Sequence, residues 1–129
     1  MILLDTHVLI WALQGSSRLS RAAASAIRRA RHSGGLAISA ISLWELAFLL
    51  ERGRIQSYGT VEASVQMMTE EVSVRPITAE IAALAAQFPD DYSGDPADRL
   101  IGGTARAEGL ALVTRDEKIR RSPLIRTVW

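Results

Sequence analysis

Short apolar runs separated by longer segments of helical periodicity recur along the whole chain. The run at 2–4 ends at a polar residue, and this continuous apolar pattern is typical of a strand buried on both faces. Comparable runs predict strands at 36–39, 72–74 and 111–113, and the tail predicts a short edge strand at 127–129. Because strands alternate with helices, the pattern favours an α/β fold, with a parallel sheet, helices on both of its faces and right-handed crossovers.

Helical patterns fill the segments between these strands, and most begin at a residue suited to N-capping. They cover 7–13, 21–31, 43–50, 60–71, 79–87 and 96–108. The expected N-cap residues are Thr6, Ser20, Ser42, Thr78 and Asp95. Ser42 and Glu45 match a capping box, in which Glu45 reaches back to the start of its helix. The rest of that helix is apolar nearly all round, which predicts deep burial or a covering partner.

The last long helix begins with a strong signal. Pro96 suits the first helical position, and Asp95 is expected to cap the helix by accepting the N–H of Asp98. Asp98 then has a free carboxylate at the positive end of the helix dipole, where it is favoured ionised. Gly102 and Gly103 lie inside the helix at a cost of about 1 kcal/mol each relative to alanine. Close packing against a neighbouring element would explain them, and a softer helix is the alternative.

Composition narrows the class of protein. With 129 residues, of which 48% are hydrophobic, the chain is long enough for one domain over 1–129 with a buried core. A formal net charge of +1 argues against a nucleic-acid binder that works by charge alone. Lys118 is the single lysine, and the many arginines suit phosphate and carboxylate recognition.

The absence of cysteine excludes disulfides, thiolate metal sites and cysteine catalysis. It also favours a reducing cytoplasm. The N-terminus lacks the pattern of a signal peptide, and the longest apolar stretch, 36–50, contains Glu45 and is too short to cross a bilayer. These features predict a soluble cytoplasmic protein with no membrane partner.

Four acidic residues follow the predicted strands in a way that brings them together. Asp5 comes directly after the first strand, Glu45 lies in the first turn of the helix after the second, and Asp116 lies just past the fourth. Ligands bind at the carboxyl ends of parallel strands. The helix before the fourth strand must run antiparallel to it, so Asp98 lies at the same edge. We therefore expect the four carboxylates to converge.

Such a cluster needs a counter-ion. At about 5 Å and an effective dielectric constant near 20, each like-charged pair costs roughly 3 kcal/mol. Oxygen ligands without histidine or cysteine favour Mg²⁺ or Mn²⁺. A bound ion lowers the pKa of water to generate a nucleophile, and a second ion stabilises a leaving oxygen. The topology therefore favours metal-dependent phosphodiester hydrolysis over helix capping alone.

Four sequence motifs make the chain resemble a known protein family. They are Ile2-Leu3-Leu4-Asp5-Thr6, Ser42-Leu43-Trp44-Glu45, Asp95-Pro96-Ala97-Asp98-Arg99-Leu100-Ile101 and Val113-Thr114-Arg115-Asp116. In this order and spacing the chain closely resembles the PIN-domain family, and specifically the VapC-type toxins of type II toxin–antitoxin systems. The resemblance implies a three-layer α/β/α sandwich around a parallel sheet of four to five strands. It also implies an endoribonuclease that depends on Mg²⁺ or Mn²⁺.

The resemblance assigns roles to individual residues. It implies that Asp5, Glu45, Asp98 and Asp116 are the catalytic and metal-binding acidic residues, with Asp5 and Asp98 as direct ligands. Thr6 and Thr114 would hold these carboxylates through their hydroxyls. Arg99 and Arg115 would either hold RNA phosphates or pair with a carboxylate.

Partners follow from the same resemblance. Besides the RNA substrate, it implies a homodimer and a cognate VapB-type antitoxin. The C-terminal segment of such an antitoxin lies in an apolar groove and sends a basic side chain toward the acidic site. Trp11, Trp44, Phe48 and Leu49 are candidates for this groove, and ordinary core residues are the alternative.

Two other functions stay open on the sequence. A phosphatase or phospho-acceptor domain also places an aspartate after the first strand of a parallel sheet. Its pattern requires a second aspartate two residues later, where this chain has His7, which we interpret as a helix-face residue. The other alternative is a non-catalytic PIN-like partner protein, and the presence of all four acidic positions argues against it.

Overall fold

The computed structural model describes residues 1–129 and contains five strands and seven helices. The strands are β1 (Ile2–Leu4), β2 (Leu36–Ser39), β3 (Val72–Arg75), β4 (Leu112–Val113) and β5 (Thr127–Val128). The helices are α1 (Thr6–Gln14), α2 (Arg21–His32), α3 (Ala40–Glu51), α4 (Val61–Met68), α5 (Ala79–Ala86), α6 (Pro96–Glu108) and α7 (Glu117–Arg120). All five strands form one parallel sheet in the order β3-β2-β1-β4-β5.

Alternate strand residues enter two separate cores, one on each face of the sheet. One core contains the strand residues Leu4, Leu36, Ile38 and Val113 together with apolar residues of α1, α2 and α3. The other contains Leu3, Ala37 and Leu112 together with residues of α6, α7 and the segment between α5 and α6. Helices therefore cover both faces, and the predicted three-layer α/β/α sandwich is confirmed. None of the helices combines the length and apolar character that crossing a membrane requires.

The predicted start of α3 is wrong. Its N-cap is Ser39, whose hydroxyl accepts the N–H of Ile41, and the helix begins at Ala40 rather than after Ser42. Ser42 is therefore inside the helix and fully buried. Glu45 lies in the second turn, so it cannot complete a capping box with Ser42. The consequence is that the Glu45 carboxylate is available to other partners.

The two glycines of α6 allow a close approach to neighbouring elements. A Cβ atom on Gly103 would lie 2.8 Å from the carbonyl oxygen of Ile81 in α5, and one on Gly102 would collide with the hydroxyl of Tyr92. Real Cβ atoms do not come so near to backbone oxygens without displacement. Close packing, rather than a softened helix, therefore accounts for the glycine pair.

The Gly103→Ala substitution is expected to destabilise the protein by about 1–3 kcal/mol, because the new methyl group overpacks the contact between α5 and α6. Helix propensity alone predicts the opposite sign, a gain of up to about 1 kcal/mol. Urea denaturation distinguishes the two. Ala107→Gly in the same helix serves as the control for propensity, and a more stable Gly103→Ala protein would support the softer-helix explanation.

Candidate active site

One cavity of about 320 Å³ gathers the acidic residues at the carboxyl edge of the sheet. Its lining consists of Asp5, His7, Val8, Trp11, Glu45, Asp95, Asp98, Arg115 and Asp116. All four carboxylates that the sequence singles out are present, although they come from four separate segments of the chain. Asp95 adds a fifth. The two ion pairs of the structure, Arg75–Glu108 and Arg121–Glu117, involve none of these carboxylates.

Asp5 is fixed by contacts to both of its oxygens. Its Oδ1 accepts the N–H of Thr6 at 2.8 Å, and its Oδ2 accepts the hydroxyl of Thr114 at 2.8 Å. Asp5, not Thr6, is therefore the N-cap of α1. Burial raises the pKa of this carboxyl above its ordinary value, against the opposing effect of the two hydrogen bonds. The two hydrogen bonds fix the orientation of the carboxylate.

Glu45 is bound by Thr6 and not by the backbone of its own helix. The Thr6 hydroxyl donates to Oε1 of Glu45 at 2.5 Å, and it lies 2.8 Å from the hydroxyl of Ser42. Because the single Thr6 proton goes to Glu45, Ser42 donates to Thr6. Burial is the main cause of a raised Glu45 pKa, and the charges of Asp5 and Asp95 add to it. The buried Thr6 and Ser42 thus connect α1 to α3 beneath the cavity.

Asp98 is held by a residue that the sequence did not reveal. The hydroxyl of Ser93 donates to its Oδ2 at 2.6 Å and accepts the N–H of Asp95 at 3.2 Å. Burial is the largest cause that raises the pKa of Asp98 to about 6, and neighbouring carboxylates including Asp5 and Asp116 contribute. The Asp95 carboxylate accepts the N–H of Ala97 and not, as expected, that of Asp98.

Asp116 completes the set from the other side of β1. It caps the short helix α7 by accepting the N–H of Ile119 at 3.1 Å. The sequence did not predict α7, because four residues are too few for a periodic pattern. The N–H of Asp116 donates to the Thr114 hydroxyl, which itself donates to Asp5. Thr114 therefore sets the positions of two of the four carboxylates.

Of the two arginines predicted to contact RNA phosphate or a carboxylate, only Arg115 lines the acidic cavity. Arg99 does not line the cavity and forms no ion pair, so the alternative in which it pairs with a carboxylate is wrong, and its contact with RNA phosphate stays a prediction. Its guanidinium donates to the carbonyl oxygens of Ala85, Phe88, Pro89 and Ser93 at 2.8–3.3 Å. These oxygens include carbonyls at the end of α5 that lack helical partners. Arg115 is exposed and lines the cavity.

The Arg99→Lys substitution is expected to cost about 2 kcal/mol of folding free energy, because an ammonium cannot reproduce a planar fork that reaches four carbonyls. The measurement is the urea midpoint of unfolding. Arg115→Lys is the matched control and is expected to change stability by less than about 0.5 kcal/mol. Equal stabilities of the two variants would contradict a structural role for Arg99.

A groove lined by both apolar and polar residues adjoins the acidic cavity. Trp11 and His7 line both the acidic cavity and a second cavity of about 210 Å³, which also includes Leu49. Trp44 and Phe48, in contrast, lie on the outer surface of α3 with 61% and 39% of their areas exposed. Of the four residues predicted to form the antitoxin groove, Trp11 and Leu49 are therefore half-buried, and Trp44 and Phe48 are exposed.

The chemistry of the cavity suits a hard divalent cation. Its donors are carboxylate oxygens, and burial together with neighbouring carboxylates raises the pKa values of Asp5 and Asp98. No three acidic side chains are close enough to form a ready-made metal cage. The donor set therefore fits the ion in type, with Asp5, Glu45, Asp98 and Asp116 as the groups that would hold it.

Comparison with known proteins places this geometry in a family. Residues 2–123 match the PIN domain. The chain belongs to the PIN-domain family. It is 45% identical over 130 residues to Ribonuclease VapC22 of Mycobacterium tuberculosis, and the match covers 99% of this chain and 98% of that protein. The predicted resemblance to VapC-type proteins is thereby confirmed. PIN-domain VapC ribonucleases are generally dependent on divalent metal ions.

Solved structures show the same fold at lower identity. One of them is VapBC2 from Rickettsia felis, bound to a DNA fragment from its promoter. It matches this chain with a TM-score of 0.72 at 19% identity, and the match covers 98% of this chain and 97% of the other. VapC20 from M. tuberculosis, a toxin that cleaves the sarcin–ricin loop, has a TM-score of 0.65 at 21% identity and covers 97% of both chains.

Proposed function

We propose that this PIN-domain protein is an endoribonuclease that hydrolyses RNA phosphodiester bonds with Mg²⁺ or Mn²⁺ as its cofactor. The observation that carries the proposal is the single cavity lined by four carboxylates from four segments, none of which forms an ion pair. The near full-length identity to a VapC ribonuclease supports ribonuclease as the activity. A carboxylate site without cysteine supports a hard cation as the cofactor.

The roles of the residues follow from their contacts. Asp5 and Asp98 are the best-positioned ligands, because Thr114 and Ser93 respectively orient their carboxylates. Glu45, held by Thr6, shares the site or orients the attacking water. Asp116 adds a further negative charge to the site and is linked to Asp5 through their shared contact with Thr114. When bound, the divalent ion would lower the pKa of water and stabilise charge on the leaving oxygen.

Arg115 is the cation best placed to contact a substrate phosphate. It is exposed, it lines the acidic cavity, and no side-chain hydrogen bond or ion pair of the structure holds its guanidinium. A phosphate that approaches five carboxylates needs such a group to offset repulsion at the rim. Arg99 is less suited to this contact, because four backbone carbonyls already engage its guanidinium.

As a VapC-type protein, it would act in the cytoplasm as a toxin and be inhibited by a cognate VapB-type antitoxin. Complexes of VapC with VapB among the structural relatives support this partner. The groove lined by Trp11 and Leu49 is continuous with the acidic cavity, so an apolar segment lying there would carry a basic side chain to the carboxylates. We also propose a homodimer, as is common in the family.

Cleavage of total cellular RNA by the purified, antitoxin-free protein tests the proposal. We expect discrete fragments with Mg²⁺ or Mn²⁺ and none with chelator. Separate reactions with each ion identify the cofactor, and adding purified antitoxin should suppress cleavage. A folded protein that produces no metal-dependent fragments from any RNA would overturn the assignment.

A further inference from the structure

An aromatic stack lies on the outer face of α3 beside the candidate active site. The rings of Trp44 and Phe48 are stacked, with 5.3 Å between their centroids and 28° between their planes. The guanidinium carbon of Arg52 lies 4.9 Å from the centroid of the Phe48 ring. Residues four apart share one face of a helix, so the three side chains form one continuous column along α3. We call Trp44, Phe48 and Arg52 the α3 stack.

The α3 stack is closed at one end and open at the other. Arg52 covers Phe48 at the C-terminal end of the helix, whereas Trp44 at the other end keeps 61% of its area exposed. The helix α3 directly follows β2, so its N-terminal turns lie at the carboxyl edge of the sheet. Glu45, the residue after Trp44, lines the acidic cavity. Trp44 itself does not line the cavity, so the open end of the stack lies beside the candidate active site, on the same helical turn as Glu45.

We propose that the α3 stack is a platform for unpaired RNA bases, on which a base stacks against Trp44 and so positions single-stranded RNA across the acidic cavity. The inference rests on the proposed nuclease function and adds a binding surface to it. Single-stranded RNA is commonly bound by bases stacked on aromatic rings and on arginine planes, and stacking tolerates any base.

Charge distinguishes RNA from a basic protein segment as the occupant. Arg52 is part of the stack, with its guanidinium over the Phe48 ring. Arg115 is exposed on the lining of the acidic cavity. Cations at both ends of a path attract a phosphate backbone and repel a basic peptide. The half-buried groove at Trp11 and Leu49 is also lined by Arg18 and Arg54, so its continuity with the acidic cavity, and not its charge, assigns it to the antitoxin.

Binding of a fluorescein-labelled oligouridylate of about 12 nucleotides to the full-length, antitoxin-free protein tests the platform. Anisotropy is measured with chelator present, so that hydrolysis does not interfere. We expect Trp44→Leu to raise the dissociation constant roughly ten-fold, which corresponds to about 1.4 kcal/mol. Trp44→Phe should retain most of the affinity because it keeps an aromatic face.

Two further measurements separate stacking from a general loss of structure. Tyr58→Leu removes another exposed aromatic ring, 55% exposed and outside the α3 stack, and should leave binding unchanged. RNA should quench the tryptophan fluorescence of the unsubstituted protein, and this quenching should be smaller in Trp44→Phe, in which only Trp11, on the lining of the acidic cavity, and Trp129 remain. Because Trp44 is exposed, the melting temperature of each variant should match that of the unsubstituted protein.

Unchanged oligouridylate binding by Trp44→Leu would overturn the inference. Loss of self-association or of antitoxin binding in that variant, with RNA binding intact, would also overturn it and assign the stack to a protein partner. Cleavage of total RNA by the unsubstituted protein is scored separately. Binding that depends on Trp44 without any metal-dependent cleavage would refute the nuclease and retain the platform.

Discussion

Substitution of Asp98 by asparagine is expected to lower the rate of metal-dependent RNA cleavage at least about 100-fold, or roughly 2.7 kcal/mol in activation free energy. The asparagine preserves the size of the side chain and can still accept the Ser93 hydroxyl, so the local geometry is kept. What it removes is the negative charge that would hold a divalent ion. The measurement is the initial rate of fragment formation from total cellular RNA.

The matched control is Asp91→Asn. Asp91 is exposed and lines a different cavity, beside Lys118 and Arg121, so its loss should change the cleavage rate less than two-fold by our estimate for surface substitutions. Isothermal titration with Mn²⁺ should show weaker binding for Asp98→Asn alone. Full activity in Asp98→Asn would contradict the assignment of this residue and would move the site toward Asp5 and Asp116.

The centre of the sheet was predictable because its strands are buried on both faces. Continuous apolar runs such as 2–4 and 36–39 lack the alternation of apolar and polar residues that a surface strand shows. Both strands were predicted with the bounds that the structure has. The edge strand β5 was also located correctly. Parallel topology then placed Asp5, Glu45, Asp98 and Asp116 at one edge, and one cavity contains them all. Their roles in catalysis and metal binding stay predictions.

Side-chain direction was not predictable in the same way. Arg99 and Asp98 are neighbours in the first turns of α6, yet one turns to the carbonyls at the end of α5 and the other to the cavity. Only the path of the 87–95 loop decides this, and an irregular loop has no periodic signal. The same loop contains Ser93, and its contact with Asp98 was not predicted from the sequence.

Serine capping shows a second limit. Ser39 and Ser42 are both good N-cap residues, and the sequence favoured Ser42 because Glu45 completes a capping box with it. The structure instead uses Ser39 as the cap and turns Ser42 inward to Thr6. A local motif was outweighed by a contact between segments that are 36 residues apart. Glu45 is available for the cavity for that reason.

Without metal, the protein is expected to be less stable at pH 7 than at pH 5. The pKa of Asp98 is raised to about 6 in the folded protein from an ordinary value of 3.8, and those of Asp5 and Glu45 are also raised. A folded state that binds protons more tightly than the unfolded chain gains stability at low pH and loses it as pH rises through the folded pKa. The melting temperature in chelator should therefore fall by a few degrees between pH 5 and pH 7. Asp98→Asn should weaken this dependence.

A divalent ion is expected to reverse that trend, because it stabilises the ionised carboxylates that repel one another in its absence. At pH 7 and a concentration about 100 times its dissociation constant, the ion adds about 2.7 kcal/mol, or roughly 10 °C in melting temperature for a chain of this size. Binding displaces the Asp98 proton, so the affinity should fall up to about ten-fold for each pH unit below 6. Thermal melting with Mg²⁺ or Mn²⁺ at several pH values measures both effects. A metal-induced shift that is equal at pH 5 and pH 7, or equal in Asp98→Asn and the unsubstituted protein, would show that the ion binds outside the acidic cavity.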